Sequence, residues 1–388
     1  MVSAVFFVSI SKAVESPAVI QTSGSVRSST VRPLLNLPSP GEIPPNSGGS
    51  RWNPWIDKED SVQAYQDIVT TYDFGDWESI GKSSSGSYGG DPNWDIVIFK
   101  FGNPNGGIVM IDTDLHGNEY YGYQCLKSVI TWLASSSDAD AVRIRQNNYV
   151  LVVPVANYRQ GRTNWNIHST NDDPAGGDLG VNLNRNFSPS WSAMGSGTDS
   201  YSGVSADSER ESQALINAWN TYHPRVYLNI HQGVGPSVMV TARSTFPQAV
   251  EDVNAIDTLL PQIQSTLGSL TSGQENSAWW GFNAGSSYGQ GYSKDGAASR
   301  GSVGVLLELW GNEWNSDNAA YKTNLESGNT FKQLKAMFIS MCRAVESTTQ
   351  SLSTMTGQWH HQDSVLMTPM HFSDANLQLK FVKETDPS

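Results

Sequence analysis

Positive charge is scarce in this sequence. The chain carries 24 Lys and Arg against 37 Asp and Glu, which gives a formal net charge of −13. Proteins that bind nucleic acids need an excess of Lys and Arg, because the phosphate backbone supplies much of the binding energy. The composition therefore argues against a nucleic-acid partner, and the acidic surface favours a globular protein that stays in solution.

Cysteine is almost absent, with only Cys125 and Cys342 in 388 residues. Two cysteines so far apart form neither a disulfide framework nor a cysteine-based zinc site. Cys125 falls within an apolar helical pattern, so we predict a small buried hydrophobic side chain there rather than a disulfide partner. The cysteines leave the cellular compartment open.

Long hydrophobic runs are also missing, since no segment reaches the ~18 apolar residues that a membrane-spanning helix needs. The N-terminal run MVSAVFFVSI is apolar but has no basic residue before it, so it matches a signal peptide only in part.

Charged residues make up only 16% of the chain, while Ser, Gly, Asn and Thr are abundant. This composition is commoner in exported proteins, so we expect an extracellular or particle-associated protein, with a cytoplasmic one as the alternative.

Three regions follow from the changes in composition along the chain. Residues 1–57 form an N-terminal extension or linker, because residues 17–55 are rich in Ser, Pro, Gly and Asn and show no sustained period. Residues 58–346 form the main domain, and residues 347–388 form a polar C-terminal extension.

Strands and helices alternate along the main domain. The hydrophobic pattern predicts helices at 60–72, 120–134, 208–222, 249–267 and 329–345, and strands at 94–101, 107–111, 150–155, 226–230 and 303–309, with a further strand-like stretch at 377–382. Such alternation favours the α/β class, with a single doubly wound, mostly parallel mixed sheet and helices on both faces.

The segment DLHGNE, residues 114–119, lies where a predicted strand ends and a helix begins. Ligands gather at the carboxyl ends of strands in open α/β sheets, so the location suits a site. His116 and Glu119 offer an imidazole nitrogen and a carboxylate, both of which bind zinc. A His-x-x-Glu tetrapeptide alone is weak evidence, since it arises by chance in many proteins.

A second histidine stands in the same setting and strengthens the prediction. His231 ends the apolar run VYLNI and precedes a Gly-rich loop. A lone histidine at a strand end is more often a structural hydrogen-bonding residue, but three potential ligands at strand ends favour a metal site. Two His and one Glu leave the fourth position of a zinc ion for water, as a catalytic site requires.

Two further motifs place polar residues among apolar ones. GVNLNRNF, residues 180–187, puts Asn184 and Arg185 between apolar neighbours, and a guanidinium held this way can bind a carboxylate through two hydrogen bonds. GVLLELWG, residues 304–311, puts Glu308 inside an apolar strand. A salt bridge is the plainer explanation of such a carboxylate, but an apolar setting also raises its pKa toward that of a general base. Glu313 in the following polar segment is the competing carboxylate.

The order of these motifs resembles that of the zinc carboxypeptidase family. The resemblance spans roughly residues 58–346 and rests on HGNE (116–119), VNLNRNF (181–187), YSGVSADSERESQAL (201–215), NIHQ (229–232) and LLELWG (306–311). It implies a zinc-dependent peptidase with one Zn²⁺ ion, which acts on the C-terminus of a peptide or protein substrate. By position, His116, Glu119 and His231 are the implied zinc ligands.

The resemblance also implies roles for the remaining site residues. Glu308 takes a proton from a metal-activated water and returns it to the leaving amine, while Asn184 and Arg185 hold the terminal carboxylate of the substrate. Arg162, in an Arg-x-Asn pattern with Asn164, is the candidate for oxyanion stabilisation, and Arg159 competes with it.

The sequence departs from the family pattern at several positions. The usual Asp before LNRNF is Asn182, so the support of that loop is expected to differ. The family's mobile tyrosine is matched best by Tyr288, with Phe282 and Tyr292 as alternatives. The stretch 280–300, which sets side-chain preference, contains no clear specificity determinant apart from Asp295.

Other functions stay open at this stage. An amidohydrolase of the aspartoacylase and succinylglutamate-desuccinylase group also uses an HGNE motif, and a peptidoglycan peptide is a conceivable substrate. A carboxypeptidase-like domain kept only for binding or as part of a particle is a non-enzymatic alternative, although such a domain has no need of Glu308. We expect a monomer.

Overall fold

One eight-stranded mixed sheet organises the chain. The structure, a computed structural model, describes residues 35–37, 55–83, 94–117, 119, 121–158, 180–196, 198, 200–233, 237–240, 281–284, 290–310 and 326–359. These residues all belong to one compact unit that begins at Leu35. The strands are β1 (Asp76–Lys82), β2 (Asp95–Gly102), β3 (Gly107–Thr113), β4 (Asn148–Val153), β5 (Val226–Gly233), β6 (Ser237–Val240), β7 (Gly281–Ala284) and β8 (Val303–Trp310).

The strand order across the sheet is β1-β2-β4-β3-β5-β8-β6-β7. The four central strands β4, β3, β5 and β8 run parallel to one another. At one side β2 is antiparallel to β4 and β1 is antiparallel to β2. At the other side β6 is antiparallel to β8 and parallel to β7. The predicted mixed α/β sheet is confirmed.

Six α-helices fall within the described residues and cover both faces of the sheet. They are α1 (Trp55–Tyr72), α2 (Tyr121–Ser135), α3 (Ala139–Asn147), α4 (Arg210–Tyr222), α5 (Ser293–Ala298) and α6 (Asn329–Trp359). Helices α1, α3 and α6 pack around α2 on one side, and α4 packs against α5 on the other. We call the sheet surface under this second pair the α4–α5 face.

The alternation of side chains along the strands assigns residues to the two faces. Gly122 of α2 lies against Ile230 and Thr113. Trp219 of α4 packs edge-on against Tyr227, with ring centroids 5.0 Å apart. Successive residues of a strand point to opposite sides. The odd-numbered residues of β5 from Tyr227 to His231, and the even-numbered Asp112 of β3, therefore lie on the α4–α5 face.

The central strands are buried on both faces, which explains their nearly continuous apolar sequences. Among the described residues, Trp219 is the largest side chain that is fully buried, and it also contacts Phe187 with ring centroids 5.4 Å apart. Aromatic pairs of this kind contribute about 0.5–1.5 kcal/mol beyond their buried area. This packing ties the segment before Phe187, which contains Asn184 and Arg185, to the sheet.

Most predicted elements are present with ends shifted by a few residues. The last helix is the largest difference, since α6 extends to Trp359 rather than ending near Val345. The predicted helix at 249–267 and the strand-like stretch at 377–382 lie outside the described residues.

Both cysteines are buried free thiols, as predicted for Cys125. Within the part of the chain that the structure describes, no helix is long and apolar enough to cross a membrane.

Candidate metal centre and substrate-binding residues

The turn between β3 and α2 presents His116 and Glu119. Strand β3 ends at Thr113, and the next residue, Asp114, has a φ of +57°. This left-handed conformation, which Asp tolerates better than most residues, redirects the chain out of the strand. The backbone N–H of Glu119 then donates to the carbonyl of His116 at 2.9 Å. Both side chains are thereby presented in one short turn beyond the carboxyl end of the sheet.

His231 reaches the same place from strand β5. It lies on the α4–α5 face, and its side chain is 1% exposed, whereas the side chains of His116 and Glu119 keep 12% and 14% exposure. Parallel strands β3 and β5 are neighbours, so their carboxyl ends meet at one edge. The site is therefore closed on the side of His231 and open to solvent on the side of His116 and Glu119.

The three side chains converge on one another. Their ligand atoms all lie within 4.8 Å of one another, the only such group of His, Cys, Asp and Glu in the described part of the chain. Glu119 Oε1 is 2.7 Å from His116 Nδ1, and Glu119 Oε2 is 2.7 Å from His231 Nδ1. The two Nδ1 atoms are 3.2 Å apart. All three residues predicted as zinc ligands are thus brought together.

The spacing of these atoms fits a tetrahedral zinc ion. Two nitrogens that bind zinc at about 2.0–2.1 Å in tetrahedral geometry lie about 3.3 Å apart, close to the 3.2 Å between the Nδ1 atoms of His116 and His231. The donor set of two imidazoles and one carboxylate is typical of catalytic zinc, which keeps a further position for water. The residues present therefore fit the metal that the sequence predicts.

The protonation states of the three groups are also compatible with a metal. Burial by itself raises the pKa of Glu119, but the imidazoles of His116 and His231 outweigh it and lower that pKa to about 2. Burial lowers the pKa of His116. For His231 burial acts in the same direction, but the Glu119 carboxylate overrides it and raises the pKa. Metal binding requires neutral imidazoles, and the lowered pKa of His116 favours the neutral ring there.

An asparagine oxygen contacts the second nitrogen of each histidine. His116 Nε2 lies 3.2 Å from Asn182 Oδ1, and His231 Nε2 is in short contact with Asn229 Oδ1. A carbonyl oxygen accepts a hydrogen bond from an imidazole N–H and cannot donate one. Both rings are therefore held with hydrogen on Nε2 and with Nδ1 turned to the shared centre. Asn182, noted as a departure in the sequence, still supplies an acceptor for His116.

Glu308 lies directly beside His231, because the two residues are partners in the register of parallel strands β5 and β8. Burial is the largest cause that raises the pKa of Glu308, to about 7, with the Glu119 charge adding to it and His231 opposing it. Glu308 is half-buried among the apolar residues of β8. A carboxyl group with such a pKa can exchange a proton near neutral pH.

Asn184 and Arg185 lie beside the triad on the α4–α5 face. Asn184 Nδ2 is 3.2 Å from His231 Nε2, and Asn184 Oδ1 accepts from the backbone N–H of Ser293 at 3.0 Å. The Arg185 guanidinium stacks over the ring of Tyr292, 4.7 Å from its centroid. It also donates a hydrogen bond to the backbone carbonyl of Asn184 at 2.8 Å. Among the described residues no acceptor bonds Arg185 Nε. A positioned guanidinium with donors to spare suits an anionic ligand.

Several functional predictions lie outside the described residues. These are Arg162 with its rival Arg159, Tyr288, and Glu313. Conversely, sequence patterns missed the contacts of Asp112, Asn229 and Tyr292. The sequence offered one signal for Asn229. It is a polar residue two positions before the candidate ligand His231 on the same strand, and residues so spaced share a face of the sheet.

Comparison with known proteins gives one family and one fold. The family model described as zinc carboxypeptidase matches residues 62–340. No curated protein matches the chain.

Three solved structures illustrate the similarity of fold. The carboxypeptidase A of Helicoverpa armigera has a TM-score of 0.55 at 17% identity, with 76% of this chain and 74% of that chain covered. Thrombin activatable fibrinolysis inhibitor has a TM-score of 0.57 at 15% identity, with 78% of each chain covered. A metallo-carboxypeptidase from Burkholderia cenocepacia has a TM-score of 0.50 at 15% identity, with 76% of this chain and 70% of that chain covered.

The structural likenesses show a shared fold, and the family model extends over more than half of the chain. It covers the segments that carry His116, Glu119 and His231, the Asn-Arg pair and Glu308. This chain belongs to the zinc carboxypeptidase family.

Proposed function

We propose that this protein is a zinc-dependent metallopeptidase that removes the C-terminal residue of peptides or proteins. The observation that carries the proposal is the convergence of His116, Glu119 and His231, with Glu308 beside them in the register of the sheet. Membership of the zinc carboxypeptidase family supports the same chemistry. The three converging residues would hold one Zn²⁺ ion.

Zinc, when bound, polarises the carbonyl of the scissile bond and makes water a better nucleophile near neutral pH. Glu308 then acts as the general base: its carboxylate takes a proton from the attacking water and passes it to the nitrogen of the leaving amino acid. Its raised pKa, about 7, supports this role, because proton transfer is most efficient when the pKa of the catalytic group is close to the working pH.

Asn184 and Arg185 would let the enzyme select the C-terminal end of its peptide substrate. We assign them the terminal carboxylate of the substrate, which the Arg185 guanidinium would bind through paired hydrogen bonds. The stacking of Arg185 on Tyr292 supports this assignment, because it fixes the plane of the guanidinium group before the substrate binds. Arg162 is proposed to stabilise the oxyanion and Tyr288 to contact the substrate, as the motif order implies.

The function is tested with the zinc-loaded protein and a mixed panel of peptides, each offered with a free and with an amidated C-terminus. Mass spectrometry follows the products over time. We expect stepwise loss of single C-terminal residues from the free-acid peptides only, because an amide cannot form the charged pair with Arg185. The residues released most rapidly would define the specificity.

Cleavage inside the peptides, or equal cleavage of both forms, would contradict the carboxypeptidase assignment. Absence of any cleavage would also contradict it. In that case small N-acyl amino acids and peptidoglycan peptides would be offered next, followed by a test for binding without turnover.

A further inference from the structure

The side chain of His231 is supported from within the sheet by two buried residues, Asn229 and Asp112. Asn229 Oδ1 makes a short contact with His231 Nε2. The amide nitrogen of the same Asn229 donates to Asp112 Oδ2 at 3.0 Å. Asn229 and Asp112 have no exposed surface, and His231 is 1% exposed. The three side chains therefore form a hydrogen-bonded row that runs from the metal centre into the core.

The row is a direct consequence of strand register. Asp112 of β3 and Asn229 of β5 are partners in a parallel pair, so their side chains leave the sheet next to each other and on one face. Asn229 and His231 are two residues apart on β5 and share that face. No loop conformation is needed to assemble the row, and the backbone of two central strands holds its members in place.

The carboxylate sets the orientation of the amide. Asp112 Oδ2 accepts a hydrogen bond from Asn229 Nδ2, which leaves Asn229 Oδ1 to face His231. An amide oxygen is an acceptor only, so the facing nitrogen, Nε2, must carry the hydrogen. The lone pair of the imidazole is then on Nδ1, the atom that points to Glu119 and His116.

A second amide, that of Asn184, approaches the same nitrogen of His231. Asn184 Nδ2 lies 3.2 Å from His231 Nε2, and Asn184 Oδ1 is committed to the backbone N–H of Ser293. Asn184 therefore turns a donor toward His231, which would favour the opposite tautomer. Because His231 Nδ1 points to Glu119 and His116, a metal bound at Nδ1 would leave the hydrogen on Nε2, where the Asn229 oxygen accepts it.

We propose that Asn229, oriented by Asp112, is the positioning residue that keeps His231 in the tautomer and ring orientation that a metal ligand needs. This inference rests on the proposed function, because it concerns the zinc site of that function. Partners of this kind behind ligand histidines raise metal affinity, and their loss costs typically about 10–100-fold. Asn229 contacts no substrate in this scheme and acts only through His231.

The test compares the zinc affinity of full-length variants, measured by competition with a chromogenic chelator. Asn229→Leu keeps the branched shape of the side chain and removes the acceptor, so we expect zinc binding to weaken about 10–100-fold. Asn229→Asp alone sets two carboxylates side by side and is expected to bind zinc less well than wild type. The double variant Asp112→Asn with Asn229→Asp restores a donor–acceptor pair in reverse order, so we expect it to regain most of the affinity.

A matched control is Asn148→Leu, which removes another buried asparagine whose amide bonds the Cys342 carbonyl at 3.1 Å. This residue lies at the opposite, amino-terminal end of the parallel strands, and we expect wild-type zinc affinity. The visible spectrum of the Co²⁺-substituted proteins is a second readout, since it responds to the orientation of the ligands. We expect a changed spectrum for Asn229→Leu and the wild-type spectrum for the double variant.

The outcomes separate this inference from the proposed function. Zinc affinity and Co²⁺ spectrum unchanged in Asn229→Leu would overturn the positioning role and leave the metallopeptidase proposal standing. If Asn229→Leu does not fold, the double variant decides, and its failure to exceed Asn229→Asp would refute the role. A wild-type chain that binds no zinc would overturn both proposals.

Discussion

His231 and Glu308 are direct neighbours across two parallel strands, one as the innermost ligand of the candidate metal centre and the other as its buried carboxyl group. Because the backbone hydrogen bonds of β5 and β8 set this register, the distance between ligand and base does not depend on a loop. Burial keeps the pKa of Glu308 raised, to about 7, even though His231 lowers it. The sheet thereby places the Glu308 carboxyl group next to the candidate metal centre.

Replacement of Glu308 by Gln separates metal binding from turnover. The amide has nearly the same shape but cannot accept the proton of water, so we expect zinc content like that of wild type and a fall in kcat of at least about 10²–10⁴-fold. Metal analysis and steady-state kinetics on the same preparation check both parts. Hydrolysis at the wild-type rate would refute the general-base role.

Replacement of Glu119 by Gln tests how strongly the candidate site binds zinc. Glu119 is the only carboxylate among the three converging residues and the partner of both Nδ1 atoms, so the neutral amide of Gln would not offset the charge of a cation. We expect zinc affinity to fall by more than the ~10–100-fold that the loss of an outer partner costs, and activity to disappear at limiting zinc. Chelator competition measures the loss. Glu78→Gln, in the edge strand β1, is a control that should bind zinc normally.

Arg185→Met tests the recognition of the substrate terminus. One hydrogen bond to a charged group contributes about 1.5–3 kcal/mol, so we expect loss of the Arg185 pair to lower kcat/KM for free-acid peptides by at least about 10- to 100-fold. The discrimination between free-acid and amidated peptides should shrink in parallel. Arg210→Met, at an exposed position at the start of α4, is the matched control. A variant that still discriminates fully would assign the carboxylate to another cation.

Gly291→Ala is expected to disturb the segment that carries Arg185. Gly291 has a φ of +79°, and a Cβ there would lie 2.2 Å from the backbone carbonyl oxygen of Arg185. The backbone carbonyl of Gly291 also accepts from the N–H of Phe187 at 3.1 Å. A strained conformation together with this clash should lower the free energy of unfolding by about 1–3 kcal/mol or more. Urea unfolding measures this loss, and Gly195→Ala, where a Cβ meets nothing within 4 Å, is the control.

Asp95 gives a prediction for the pH dependence of stability. Its buried carboxylate accepts from the Asn36 backbone N–H at 2.6 Å, from Ser79 Oγ and from Lys82 Nζ at 2.7 Å. Burial alone would raise the pKa of Asp95, but these partners outweigh it and hold the pKa below its usual value. The stabilisation is therefore complete above the unfolded-state pKa of about 3.9 and disappears as the pH falls through the folded-state pKa.

The variant Asp95→Asn should lose this pH dependence. Near pH 7 we expect it to be less stable than wild type by about 1–3 kcal/mol, as for a lost charged hydrogen bond. The difference should narrow as the pH falls below about 4, where wild-type Asp95 takes up a proton in the unfolded chain. Urea unfolding over a pH series checks this. A constant difference at all pH values would mean that the charge of Asp95 does not contribute.

Sequence patterns located the central strands and the main helices because burial dictates their composition. Strands β3, β4, β5 and β8 are covered on both faces, so their apolar runs were unmistakable, and the amphipathic helices α2 and α4 followed from their period. The edge strand β1 was missed, since its residues are half-exposed and largely polar. Helix α3 and the short α5 were missed as well, because few of their residues form an apolar pattern.

The sequence by itself identified the candidate metal ligands, Glu308 and the Asn184–Arg185 pair, because each stands in a short motif of polar residues at a strand end or among apolar neighbours. Only the tertiary structure decided how these groups are oriented. The register of β3, β5 and β8 brings Asp112 to Asn229 and His231 to Glu308 across residues far apart in the chain. Which nitrogen of His231 is left for a metal depends on that pairing, and neither composition nor spacing records which residues become neighbours across a sheet.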